Sequence, residues 1–386
     1  MLTEKFLRLQ SSYFRLLGLE LLDQQEVQSV GDIRRSIGCI LAVATFLPLT
    51  IAFGLNNIHN MDQLTDTLCS VLVDLLALCK IGIFLGLYKD FRRLIQRFHD
   101  MLERECHWEV AAKIVTRQND RDQFISSLYT TCFLVAGGSA CLMSPLHMII
   151  RFWRTAEMEP DYPFPSVYPW DNRRFHNYLF SYLWNVFAAF GVALATICVD
   201  TLFCSLTHNL CGLFEICRHK MLTFKRRRPV ETQQNLRHIF HLYGECLELG
   251  GSLNGIFRLI IFAQFIAASL HLCVLCYQLS SNLMQPGMLF YAAFMAAILG
   301  QVAIYCHGGA CVQAESQLFA EAIYESDWLP LLLDGRLDVG RSLQIGMVRA
   351  QRGCRLDGYF FEANRKTFDL IVRTAMSYVA LLRSTS

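Results

Sequence analysis

The apolar residues of this chain fall into runs of about twenty, the length at which a helix crosses the hydrocarbon core of a bilayer. Six such runs cover 37–55, 68–87, 125–150, 178–202, 253–277 and 288–312. Lipid offers no hydrogen bonds, so a spanning segment must pair its own backbone, as a helix does. Charged residues make up only 18% of the chain, below the roughly 25% of soluble domains. The fold class expected is an all-α polytopic membrane protein. The first run begins near Ile37, behind a charged segment, and reads as a retained span rather than a cleavable leader. A seventh candidate, 367–382, is helix-like but carries Asp369 and Arg373, with Glu362, Arg365 and Lys366 just before it.

Lysine and arginine in the connections set the orientation. Segments 1–36, 88–124, 218–250 and 313–366 hold five, eight, seven and seven of them. The alternate connections hold none, four (Arg151, Arg154, Arg173, Arg174), none and one (Arg383). This asymmetry puts the N-terminus in the cytoplasm. With seven spans the C-terminus is extracellular, the reverse of a G-protein-coupled receptor.

None of the sixteen cysteines falls in a predicted external loop, so no extracellular disulfide framework is expected. Cys273 and Cys276 have redox or metal spacing, but they sit in an apolar helix without a basic neighbour and read as packing. No phosphate-binding glycine loop, HExxH or GxSxG occurs. Enzyme activity is not expected, nor is a metal or cofactor. The net charge of +2 gives no field for nucleic acid.

Apolar positions Phe91, Leu94, Ile95, Phe98, Met101 and Leu102 follow helical spacing beyond the second span. Stretches 238–249 and 317–328 also read as helices. Such helices fit packed cytoplasmic extensions, or membrane-surface helices facing anionic lipid. The external segment 151–177 has four prolines and the aromatics Trp153, Tyr162, Phe164, Tyr168 and Trp170. It suits a lid over an interhelical site or an interfacial anchor. Ionisable residues inside spans are costly and mark function. These are Asp74, Lys80, Asp200, Arg258, His147, His271 and His307. Asp74 and Lys80 are expected to bond to other helices, and Asp200 is placed to pair with Arg258. No inverted repeat supports a secondary transporter. The outer halves of the spans are rich in aromatics and methionine. These types suit a small apolar ligand and ordinary helix packing alike.

The stretch QVAIYCHGGACVQAESQLFAEAIYESDWL, 301–329, followed by the last helix, resembles the C-terminal third of insect odorant receptors. The elements are Tyr305-Cys306, Glu315-Ser316, Ala320 to Trp328, Phe368 and Ser377-Tyr378. DTLFCSLTHNLCGLFEICRHKM, beginning at Asp200, resembles that family's fourth helix entering the cytoplasm. The chain lacks the Gln-Phe ending of gustatory receptors and the long cytoplasmic insertion of the shared co-receptor, so it resembles a ligand-tuning subunit.

The resemblance implies a single seven-helix membrane domain over 1–386. Its parts are a cytoplasmic segment 1–36, a six-helix region 37–312, a cytoplasmic anchor 313–366 and a pore-lining helix with external tail, 367–386. It implies an odorant-gated, non-selective cation channel, a heterotetramer with the co-receptor in the dendritic plasma membrane of a sensory neuron. A small volatile ligand would bind in the outer half of the bundle, with membrane lipid around it. The family's pocket positions carry over as a set to Leu72, Met143, His147, Tyr182, Phe187, Phe190, Phe290 and Phe294, and its gate to Leu381, Ser384 and Thr385. A gustatory-type channel and a metabotropic seven-helix receptor are the alternatives.

The charge pattern makes a prediction that needs no ligand. A tag before Met1 should stain only in permeabilised cells, and a tag after Ser386 should stain on intact ones. An external N-terminus would bring the metabotropic reading forward.

Overall fold

The structure is a computed structural model that describes residues 6–21, 30–155, 160–224, 229–281, 288–329 and 337–385. The elements are α1 (Arg8–Leu17), α2 (Val30–Asn56), α3 (Met61–Gly86), α4 (Tyr88–Glu105), α5 (Glu109–Thr155) and α6 (Phe175–Leu222). They continue with α7 (Pro229–Ser281), α8 (Met288–Glu325), α9 (Leu337–Arg352), a hairpin of β1 (Asp357–Gly358) and β2 (Phe361–Glu362), and α10 (Arg365–Thr385).

Each of the six expected spans overlaps its own helix among α2, α3 and α5 to α8, and these six are long and apolar enough to cross a membrane. Helices α5 to α8 have 47, 48, 53 and 38 residues. At 1.5 Å per residue even the shortest reaches about 57 Å, nearly twice the hydrocarbon core. The surplus packs as protein. Phe91, Leu94, Ile95, Phe98, Met101 and Leu102, the apolar face of α4, are all buried, and α4 lies against α6 and α7.

Helix α6 is the mast of the bundle. Every residue from Leu194 to Cys217 is buried, as expected of a helix enclosed on all sides. It packs most extensively on α8 and α5, and also on α2, α3 and α7. Helix ends follow local chemistry. Asn60 caps α3 by accepting from the N–H groups of Asp62 and Gln63. Gly18 closes α1 at φ 79°, and the Leu19 N–H donates to Phe14 O at 2.8 Å, a Schellman-type end. Phe14, fully buried, then packs its ring 4.8 Å from that of Phe84.

The chain has three glycine pairs in its helices, Gly137-Gly138, Gly250-Gly251 and Gly308-Gly309, and they differ in use. A Cβ on Gly309 would stand 2.1 Å from Ala363 O, whereas Gly137, Gly138 and Gly251 have no neighbour within 4 Å. Gly309 therefore sets how closely α8 meets the start of α10. There the hairpin pairs Asp357 with Glu362 and Gly358 with Phe361, and it lies against the middle of α7, where Asn254 and Arg258 bond to Asp357.

The polarity of the last helix now has a physical account. Arg365, Lys366, Asp369 and Arg373 are exposed, while Ile371 and Ala375 are buried against the core. Helix α10 packs on α7 and α8. It continues to Thr385; the side chains of the gate candidates Leu381, Ser384 and Thr385 lie outside the described residues.

Gly309→Ala should wedge the α8–α10 junction and destabilise the protein by about 1–3 kcal/mol, the usual scale of overpacking. Gly251→Ala should not. Thermal unfolding followed by size-exclusion chromatography in detergent compares the two.

Candidate ligand-binding site

The centre of the bundle is a closed polar layer. Asp200 of α6 is fully buried, and Lys80 of α3, also fully buried, donates from Nζ to its Oδ1 at 2.6 Å. The Tyr305 hydroxyl of α8 donates to the same oxygen at 2.6 Å. The Tyr129 hydroxyl of α5 donates to Oδ2 at 2.7 Å. Lys80 Nζ also stands 5.7 Å from the Tyr305 ring centre, and Phe203 stacks on that ring at 4.6 Å. Gln264 of α7 donates to Gln301 of α8 at 2.9 Å. Five helices thus meet through side chains that would be prohibitively costly in hydrocarbon if unpaired.

This corrects the expected pairing of Asp200 with Arg258. Arg258 Nε instead donates to Asp357 Oδ1 at 2.7 Å, and its guanidinium lies 4.6 Å from the Tyr359 ring centre. The reason is burial. Arg258 keeps a side chain 41% exposed and reaches the hairpin, whereas the ammonium of Lys80 has no water and requires a full counter-charge. Lys80 does bond to another helix, as expected. Asp74 is buried on α3, and its Oδ2 has no hydrogen-bond partner among the described residues.

Outward of this layer the sequence-predicted site residues form two groups. In the first, Tyr291 of α8 donates to Asp66 Oδ1 of α3 at 2.8 Å. Gln278 of α7 donates to the same oxygen at 3.1 Å, to Asp62 O at 2.9 Å, and to the Thr65 hydroxyl. His271 Nε2 lies 3.0 Å from Cys69 O, and its ring meets Phe294 edge-on at 5.9 Å. Phe290 stacks on Phe294 at 6.1 Å. Leu72 is half-buried on α3.

The second group joins α5, α6 and the external segment. The Tyr182 hydroxyl donates to Cys141 O at 2.7 Å. His147 Nδ1 lies 4.0 Å from Asp161 Oδ2. Burial raises the Asp161 carboxyl above its ordinary value, while His147 and Arg151 pull it back down. Tyr162, Tyr168, Tyr178 and Trp170 form a chain of ring contacts at 5.4–5.6 Å. The external segment is bonded to the helices beneath it. Tyr168 donates to Ser181 O at 3.0 Å, Asn185 to Phe164 O at 3.0 Å, and the Val167 N–H to Leu49 O at 3.2 Å. Met143, Phe187 and Phe190 are exposed. Among the described residues no ring contact joins the two groups.

Sequence reasoning missed Tyr129 as a partner of Asp200. Tyr305 had a signal, its place in the Tyr-Cys element, but nothing aimed it at an aspartate a hundred residues away. The chemistry of the outer region is largely aromatic, with polar groups such as Asp66, Gln278 and Tyr291 bonded to one another. That suits a small ligand held by shape and dispersion.

The chain matches the family model described as 7tm Odorant receptor over residues 60–376. It is 60% identical to "Putative odorant receptor 98b" of Drosophila melanogaster over 100% of this chain and 99% of that protein. It is 38% identical to odorant receptor 47a of the same organism, over 99% and 100%. The fold is similar to that of the olfactory receptor OR5 from Machilis hrabei, solved in complex with eugenol. That likeness has a TM-score of 0.81 at 14% identity, covering 99% of this chain and 98% of the other.

Lys80→Met should destabilise the protein by about 3–5 kcal/mol, because it strands a buried carboxylate. Adding Asp200→Leu should recover part of that loss. Thermal melts of the purified single and double variants test the sign of the coupling.

Proposed function

The chain belongs to the 7tm odorant receptor family, and from that premise we propose that it is the ligand-tuning subunit of an odorant-gated, non-selective cation channel. The observation that carries the reading is the family match across residues 60–376. The geometry supports it with an aromatic outer half above a sealed polar layer.

In this reading the chain is a single membrane domain with seven spans, a cytoplasmic N-terminus and an extracellular C-terminus. Its partner is the shared co-receptor, in a tetramer at the plasma membrane of the sensory dendrite. The last helix lines the pore. Its exposed Arg373 and Thr374 then meet water or neighbouring subunits instead of lipid tails, where polar groups are tolerated. Leu381, Ser384 and Thr385 stand at the gate, with Leu381 as an apolar constriction that opposes ions by dewetting.

The odorant occupies the space among Leu72, Met143, His147, Tyr182, Phe187, Phe190, Phe290 and Phe294. The exposed faces of Phe187 and Phe190 supply contact surface to a guest. The external segment, bonded to α2, α5 and α6, covers it. Opening is a population shift, and the odorant must hold the open form more tightly than the closed one to produce it. The polar layer is the rigid link through which a change around α3 and α8 is passed inward.

Co-expression with the co-receptor and recording of odorant-evoked current test the pocket and the gate. Phe190→Ala with Phe294→Ala should shift half-maximal concentrations by about tenfold or more, the effect of losing one to two apolar contacts. An unchanged response profile would remove these residues from the pocket. Leu381→Ala should raise basal current, and unaltered leak and ion selectivity would remove it from the gate.

A further inference from the structure

About one to two turns inward of Asp200, α6 carries Cys204 and His208, and α5 faces them with Asp122. A carboxylate oxygen, the thiol sulfur and an imidazole nitrogen of these three residues all lie within 4.8 Å of one another, and all three residues are buried. We propose that Asp122, Cys204 and His208 form a binding site for a zinc-class divalent transition metal, completed by His307 of α8.

The first argument is charge. Asp122 is 3% exposed, and no Lys or Arg forms an ion pair with it among the described residues. Its oxygens are held by neutral donors, Gln10 Nε2 at 3.2 and 3.4 Å and Ser126 Oγ at 3.0 Å. A carboxyl held in this way stays ionised only when it is paired or coordinates a metal, and otherwise takes up a proton.

The second argument is tautomer. His208 Nδ1 lies 2.8 Å from Cys204 O. A carbonyl can only accept, so Nδ1, which also stands 3.6 Å from Cys204 Sγ, carries a proton, and Nε2 is the nitrogen left for a metal. A ligating histidine is arranged in this way, with one nitrogen donating to backbone and the other free for the metal.

The third argument is the facing helix. The His307 ring lies 6.3 Å from that of His208, and His307 Nε2 is 3.5 Å from Cys311 Sγ. Two Cys/His pairs, each spaced four residues apart, therefore oppose one another across α6 and α8. The backbones come close beside them, since a Cβ on Gly308 would stand 2.9 Å from Thr207 Oγ1. His307 is exposed, and Cys311 stands beside it.

Thiolate, imidazole and carboxylate together suit zinc and its neighbours rather than calcium or magnesium, which favour all-oxygen ligands. Metal bonds of roughly 2.0–2.3 Å place tetrahedral ligand atoms about 3.5–4 Å apart. The cluster closes by small side-chain rotations to meet that. Gln10 and Ser126 then orient the carboxylate from outside. Since Gln10 belongs to α1, the metal would tie α1, α5, α6 and α8 into one unit on the inner side of the polar layer.

The test uses the full chain, co-purified with the co-receptor in nanodiscs and stripped with a chelator. Cobalt(II) is added as a spectroscopic probe and zinc(II) as competitor. The expected result is a near-ultraviolet thiolate-to-cobalt charge-transfer band that saturates, is displaced by zinc, and is lost in Cys204→Ser. Gln10→Ala, which keeps every ligand, should weaken cobalt affinity about 10–100-fold. If Cys204→Ser does not fold, the wild-type titration and Gln10→Ala decide the matter. A monodisperse wild-type protein with no saturable band overturns the site. So does a band that persists in Cys204→Ser, or one that is unmoved by Gln10→Ala.

Discussion

The fully buried ion pair of Lys80 and Asp200 is the constraint around which the bundle is arranged. An isolated ammonium or carboxylate at this depth is unstable, and removing either partner leaves the other without water. The pair is therefore closed by two tyrosine hydroxyls, each from a different helix. α3, α5, α6 and α8 are bound to one another at a single level. A purely apolar core packs in many near-equal ways, whereas this layer accepts one register, since shifting any helix by a residue strands a charge.

The layer also divides the molecule by chemistry. Outward of it, rings and soft side chains dominate, and the polar groups among them, such as Asp66, Gln278 and Tyr291, bond to one another. Inward, the helices continue beyond the bilayer and the charges appear in pairs, such as Arg104 with Glu245 at 2.5 Å, and Lys220 with Glu105. The Arg104–Glu245 pair is partly exposed and contributes little to stability, whereas Glu105 is buried and needs Lys220 as its counter-charge. The close approaches at Gly309 and the burial of the α4 face fix the inner half more firmly than the charges do. The hairpin belongs to this half. Asp357 takes Arg258, and Asn254 accepts from the Asp357 N–H at 2.8 Å, so the start of α10 is held to α7.

This division suits a receptor that holds its ligand in one half of the bundle and is braced in the other, as the proposed channel would be. A ligand held by shape needs a surface that adapts, and rings with exposed faces provide one. Helices of 47 to 53 residues joined at mid-length connect the two halves.

The sequence by itself determined the helical membrane class, the six apolar spans and the helical face of α4. These follow from residue type and spacing along one helix. Stretches 288–312 and 317–328 were legible as helices in the same way, although they form one helix, α8, and so was the family, through Tyr305-Cys306 and the elements after it. Tertiary structure decided the partners. Nothing in the chain tells which way Asp200 faces on a helix buried on every side, so Arg258 looked as suitable as Lys80. Nothing local places Cys204 and His208 opposite Asp122. A hydrogen bond is settled over about 3 Å, while helical periodicity locates a side chain only to one face of its own helix. The remaining information lies in how the helices are rotated and set at depth against one another, and only the packed bundle supplies it.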